Sequence, residues 1–434
     1  VNQRGIARRP ALVVLAVLVG CLAAAVLFTT PWAPWEDVAA APPVPHIPIT
    51  ADFTADEIAR SEAFQLVRLP VYISSAVGLL AAIVLGFTRL GARLSARVLP
   101  CLRPWWARVP LGAFVVMVVT RIATLPFDFW LEIGRRERGI STQPWGSWAL
   151  DLLLDFAVVA FVTVLLLTGL VGFARRFPHW WWAPAAASAA VLVLVGSYVY
   201  PVFVEPIYNR FAPMQPGPLR TSLLELARED GVAVKEVLIA DASRRTTRLN
   251  AYVSGFGPTW RLVIYDTLLE EATPQQVRFV VAHELGHAKH EDVLRGTLVG
   301  ALGVGLGVVA LAVLLDVRRV LRCAGVPSVA DPRAVAIVLA LVALGMQVSG
   351  PLQNLISRRV EARADVHALE VTRDPAGYAM TQRWLAVTNR SELDPAPLAY
   401  GLFATHPTAP ERIALVRWWA VLEGDSPIPS LAAR

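Results

Sequence analysis

The sequence predicts a mainly α-helical, multi-pass membrane protein with about seven spanning helices and a small β-hairpin in its largest polar block. Three observations carry this. The 434 residues are 55% hydrophobic and only 17% charged, a balance unlike that of soluble domains. Apolar runs near spanning length recur at 11–29, 69–88, 109–127, 152–173, 181–201, 296–315 and 334–356. A helix needs about 20 such residues to cross the hydrocarbon core. Between and after these runs lie two polar blocks, 205–292 and 357–434, which hold the chemistry-bearing side chains.

Taken in order, the first run follows Arg4, Arg8 and Arg9 like a signal peptide, but the further spans argue for an uncleaved signal anchor. Residues 40–48 are proline-rich and read as a short extended linker. Thr54-Ala55-Asp56-Glu57 has the form of a capping box, opening an amphipathic helix to about Arg68 ahead of the second span. The third run contains Arg121, which makes it the weakest span by composition. Trp105-Trp106 and Trp180-Trp181-Trp182 stand at run ends, where indole rings favour the membrane interface. Asp151 and Asp155 open the fourth run and suit either a polar chamber or an interfacial cap.

The first polar block begins helically and then offers Glu236–Ala240 as a strand. Ala251–Ser254 and Arg261–Tyr265 follow, separated by Gly255-Phe256-Gly257-Pro258-Thr259, a hairpin pattern. Thr273-Pro274-Gln275-Gln276 then reads as an N-cap, a proline at the first helical position and a capping glutamine, so a helix starts near Pro274. The expected organisation is a five-span region at 1–201, a first catalytic segment at 202–292, two spans at 293–356 and a second catalytic segment at 357–434.

Charge and cysteine narrow the class. Lys235 and Lys289 are the only lysines, and the arginines behind the +6 balance fall in clusters between apolar runs. That pattern fits a membrane protein's cytoplasmic loops better than a nucleic-acid surface. Cys21, Cys101 and Cys323 are scattered, which predicts free thiols.

The most informative motif is His283-Glu284-Leu285-Gly286-His287. Histidines four apart share one helix face and can reach a single zinc ion, with the glutamate placed to act on water. A hydrolytic zinc site takes three protein ligands, and Glu361 in the helix continuing from the seventh run is the candidate third. Asp365, one turn on, would hold a metal histidine from behind. The alternative for this pair is a solvated helix with Arg–Glu pairing. His406, ahead of Pro407, and Arg412 could stabilise an oxyanion or hold a peptide carbonyl; alternatively they belong to a loop leading into a helix. His290 lies about 10 Å further along the motif helix and reads as cleft lining, His367 as a surface or supporting residue, and His46 and His179 as loop residues.

Four blocks in order resemble the type 1 CaaX prenyl proteases and their bacterial relatives, integral-membrane zinc endopeptidases. They are Asn250-Ala251-Tyr252 with Gly255-Phe256-Gly257 and Ile264-Tyr265-Asp266-Thr267-Leu268; His283 to His287; Ser357-Arg358-Arg359 with Glu361 and Asp365; and His406-Pro407 with Arg412. The resemblance implies a zincin-like catalytic domain holding one Zn2+ per chain through His283, His287 and Glu361. Glu284 would be general base and acid, Asn250, Ala251 and Tyr252 would meet the substrate beside an edge strand, and His406 and Arg412 would support substrate or transition state. The expected function is hydrolysis of peptide bonds in membrane-associated or lipidated proteins at the cell membrane. The partners are then a peptide or membrane-protein substrate and the lipid bilayer, with no nucleic acid.

Two alternatives stand beside it. A site-2-type intramembrane protease needs the motif inside a span, yet Gln275, Gln276, Arg278, Lys289, Glu291 and Asp292 flank it here. A non-catalytic protein with a structural metal would not need Glu284. On sidedness, Arg4, Arg8 and Arg9, Arg89 to Arg108, Arg175 and Arg176, and Arg318 to Arg333 all fall on one face if seven spans are counted. The positive-inside rule puts that face in the cytoplasm and the catalytic blocks outside; the resemblance implies the reverse.

Overall fold

The computed structural model describes residues 5–33, 47–98, 104–255 and 260–432. The linker through residue 46 with His46, Cys101 and the hairpin turn at 256–259 lie outside the described residues. Among the described residues, seven helices are long and apolar enough to cross a membrane: Arg8–Thr29, Ala55–Phe87, Trp105–Glu137, Trp145–Arg176, Trp182–Tyr208, Asp292–Leu315 and Pro332–Thr372. Only 11–33% of each span's most apolar window is buried by protein, so most of that apolar surface is available to lipid.

Composition placed the spans well, and the differences have local causes. The helix opening at Thr54 does not stop at Arg68. Its capping box closes as expected, and the helix runs without interruption through Pro70 into the second span, making 33 residues. The arginine in the third span is neutralised within its own helix, with Nη1 of Arg121 donating to Asp128 at 2.6 Å. The first span packs against the sixth, and its entry is tied by the backbone N–H groups of Ile6 to Asp316 and of Ala7 to His179.

A four-stranded sheet sits in the first polar block, ordered β1-β2-β4-β3, with β1 at Phe211–Pro213, β2 at Glu236–Ala240, β3 at Ala251–Ser254 and β4 at Arg261–Tyr265. The hairpin of β3 and β4 is antiparallel as expected, with Ala251 opposite Ile264. β2 joins β4 in parallel, and β1, three residues without a periodic signal, extends the far edge. β3 is therefore an edge strand, with the motif helix Pro274–Lys289 packed against it.

There are two main apolar cores. One lies among the spans, around Val109, Val171, Val309, Leu315 and Ile337. The other fuses both polar blocks through Leu223, Leu262, Phe279, Leu285, Leu369, Tyr378 and Ile413. Two ion pairs lock the second span's entry into that outer core: Arg417 grips buried Asp52 through two nitrogens, one at 2.6 Å, and Arg383 donates to Glu57 at 2.7 and 2.9 Å. The helix Val335–Thr372 bridges the cores, with Ile337 in one and Leu369 in the other. Its 38 residues make a rod about 57 Å long.

The second and seventh spans touch where Gly86 lies against that rod. A Cβ at Gly86 would stand 2.8 Å from the Ala336 carbonyl oxygen, closer than real contacts allow. Gly86→Ala is expected to destabilise the bundle by about 1–3 kcal/mol through overpacking, read as a lower midpoint of thermal unfolding in detergent.

Candidate metal centre and cleft

The motif helix starts at Thr273, whose side chain accepts from the Gln276 N–H while the Gln276 side chain accepts from the Thr273 N–H. It ends at His290, and Glu291 reverses the chain in a left-handed conformation, φ 53°, before the sixth span begins at Asp292. Gly286 faces the rod: a Cβ there would meet Ala364 Cα at 3.2 Å and His367 Cβ at 3.1 Å. The missing side chain lets the two helices cross closely.

That crossing brings His283, His287 and Glu361 together, with one ligand atom from each lying within 4.8 Å of the others. Nε2 of His283 is 3.3 Å from Oε2 of Glu361, and Nε2 of His287 is 3.6 Å from Oε1. Behind each imidazole stands an aspartate. Nδ1 of His283 is 2.9 Å from Asp365, and Nδ1 of His287 is 3.0 Å from Asp292. Each ring is thus held at Nδ1 with Nε2 left to face Glu361, the usual arrangement behind metal-binding histidines. Glu361 Oε2 is buried without a hydrogen-bond partner, so one acceptor in this group is still open to a cation.

Asp365 is completely buried. It accepts from Tyr378 Oη at 2.6 Å and from Arg412 through Nε at 2.8 Å and Nη2, beside its contact with His283. Full satisfaction is what lets a carboxylate stay there. Burial works against charge on both Arg412 and His283, and the neighbouring carboxylates override it. Asp365 keeps Arg412 firmly protonated, and Asp365 with Glu361 raises His283 to about 10. The group favours positive charge. Burial also raises the Glu284 carboxyl, against the pull of the two histidines.

The cleft beside this group has a volume of about 700 Å³ and is lined by Asn250, Ala251, Tyr252, Glu284, His406 and Arg412 among others. His406 is exposed at its mouth, Nε2 3.3 Å from Glu361 Oε1. Arg412 lies deeper, its guanidinium taken up by Asp365 and 3.3 Å from Nδ1 of His283. Asn250 leads into β3, and its carbonyl accepts from the Tyr265 N–H. Asn389 clamps both backbone polar groups of Leu249 just before it. His290 stacks edge-on against His367, which is 7% exposed and bound to Asp230 at 2.9 Å, so it is not a surface residue.

Sequence reasoning missed Asp292, Tyr378 and Asn389. Asp292 follows His287 by five residues, past a helix end, where helical spacing gives no pointer.

Comparison with known proteins gives the family and the fold. The model for Peptidase family M48 matches residues 213–420, and that for the CAAX prenyl protease N-terminal region, five membrane helices, matches 51–210. The chain is 30% identical over 303 residues to the uncharacterized metalloprotease YhfN of Bacillus subtilis (strain 168), covering 69% of this chain and 71% of that one. It is 29% identical over 234 residues to a CAAX prenyl protease 1 homolog of Arabidopsis thaliana, about half of each chain (52% and 53%). The crystal structure of S. mikatae Ste24p is similar in fold, with a TM-score of 0.73 at 17% identity over 94% of this chain and 98% of that one.

Asp292→Ala removes the support of His287 and leaves the ligand atoms in place. It is expected to weaken metal affinity by about 10–100-fold, measured by competition with a calibrated chelator.

Proposed function

The chain belongs to peptidase family M48, and from that premise we propose that it is a zinc-dependent endopeptidase of the cell membrane. It would cleave membrane-associated or lipidated proteins, CaaX-type C-terminal processing among them. The observation that carries this is the convergence of both Nε2 atoms on Glu361. One ligand atom from each residue lies within 4.8 Å of the others, and the two Nε2 atoms stand 3.3 and 3.6 Å from the two oxygens of that carboxylate, so the three side chains could share one ion. Two imidazoles and a carboxylate also make the donor set of many hydrolytic zinc sites.

Zinc held by His283, His287 and Glu361 would supply a Lewis acid that lowers the pKa of water and polarises a carbonyl. Glu284, in the same cleft wall with its pKa raised by burial, takes the proton from the attacking water. It then returns that proton to the leaving amine. His406 Nε2 at the mouth donates to the developing oxyanion. Arg412 acts indirectly, holding Asp365 and through it the His283 ring. The edge strand β3, with Asn250, Ala251 and Tyr252, offers backbone groups to an extended peptide lying in the cleft.

The motif helix is not among the seven candidate spans, which favours this reading over a site-2-type protease. Glu284, unnecessary for holding a metal, favours it over a structural site.

The test is cleavage of lipidated and unlipidated peptides by the purified chain in detergent, with and without chelator. Glu284→Gln is expected to cut turnover by about 10²–10⁴-fold with bound metal unchanged; near-normal turnover would end the proposal. His406→Ala is expected to lower kcat by about 10²-fold with metal retained, and a change in KM alone would make it a substrate-positioning residue.

A further inference from the structure

Three arginines line the cleft that also holds His283, Glu284, His287 and Glu361: Arg68 from the second span, Arg135 from the end of the third, and Arg248 just ahead of β3. One acid answers them. Glu392 accepts from Arg68 at 2.6 Å, and among the described residues neither Arg135 nor Arg248 has an acidic partner. Nε of Arg248 is buried without a hydrogen bond, its guanidinium lying 5.8 Å from the centre of the Phe64 ring. Burial first, and then Arg135 and Arg68, draw the Arg248 pKa down to about 10. At neutral pH the cluster still carries three positive charges against one negative. Like charges gathered at one cleft wall are unfavourable unless an anion joins them, even with Arg135 exposed and Arg68 and Arg248 half-buried.

The sheet identifies the anion. β3 is an edge strand, and Arg248 stands at its N-terminal end. A peptide adding antiparallel to β3 runs its C-terminal end toward Arg248. A peptide adding in parallel would bring its N-terminal ammonium into the arginines and be repelled. Arginine's planar fork also matches a carboxylate. We propose that Arg68, Arg135 and Arg248 form a subsite for the C-terminal carboxylate of the substrate, fixing both the direction of the bound chain and the distance from its end to the scissile bond. This rests on the peptidase reading above and deepens it, since it selects substrates cut near a free C-terminus.

The experiment compares one peptide sequence as free acid, as C-terminal amide, and as an amide with aspartate at the last position, using the full-length chain in detergent. The free acid is expected to exceed the amide by about 10–100-fold in kcat/KM, the scale of a lost charge-assisted hydrogen bond. That ratio is expected to fall toward 1 in Arg248→Gln and in Arg135→Gln, with Arg248→Lys between. Equal cleavage of acid and amide by the unaltered chain, or an unchanged ratio in both glutamine variants, overturns the subsite and leaves the peptidase reading standing. An aspartate-ended amide as good as the free acid overturns its specificity for the chain end. The same peptides labelled for fluorescence anisotropy and bound to Glu284→Gln report discrimination without turnover. Discrimination there with no cleavage by the unaltered chain sinks the peptidase reading alone.

Discussion

Everything at the metal centre depends on how closely the motif helix can approach the rod of the seventh span. The crossing sets Glu361 on one helix facing His283 and His287 on the other, so a shift of either helix would pull the three ligand atoms apart. Gly286 supplies the room, facing Ala364 and His367 with no side chain of its own. Adjacent to this contact, the His283 and His287 rings meet edge-on at 4.9 Å, and both Nε2 atoms face the same carboxylate.

The rest of the fold holds that crossing in place. Because the rod belongs to both cores, the outer region cannot rotate over the membrane bundle without disturbing packing at Ile337 or at Leu369. The other partner at the crossing is fixed as firmly: Glu291 turns the chain in one residue, so Asp292 begins a membrane span and grips His287 at once. Arg363, from the rod, donates to the same Asp292. The sixth span, the motif helix and the rod therefore meet through one carboxylate, and membrane packing sets the orientation of a ligand.

Buried charge in the centre is tolerated for a specific reason. Asp365 accepts from a tyrosine and an arginine and holds a histidine, so its desolvation is offset by contacts on every side. The arginines across the cleft differ, because their positive charge exceeds what surrounding acids neutralise. Asp365 is fully satisfied by its own protein, whereas Arg248, with Nε unbonded, lines the cleft assigned above to the substrate's end.

Local rules made much of this protein legible from its sequence. Hydropathy over about 20 residues marks the spans whatever packs beside them. Capping at Thr54 and Thr273 depends on neighbours three residues away, and an i, i+4 pair of histidines shares a face in any helix. The β3–β4 hairpin was readable for the same reason, as short-range alternation around a glycine-rich turn. Glu361 and Asp365 could be paired by one helical turn and offered as third ligand and support, but spacing alone left a solvated helix as an equal reading, and the resemblance chose between them. Asp292, Tyr378 and the convergence of Arg68, Arg135 and Arg248 were not legible. These residues come from elements up to a few hundred positions apart, and nothing in local spacing encodes which of them share a cavity. The close approach of two helices and the packing of seven spans decided that, because contact between distant segments is set by the three-dimensional fit of whole surfaces.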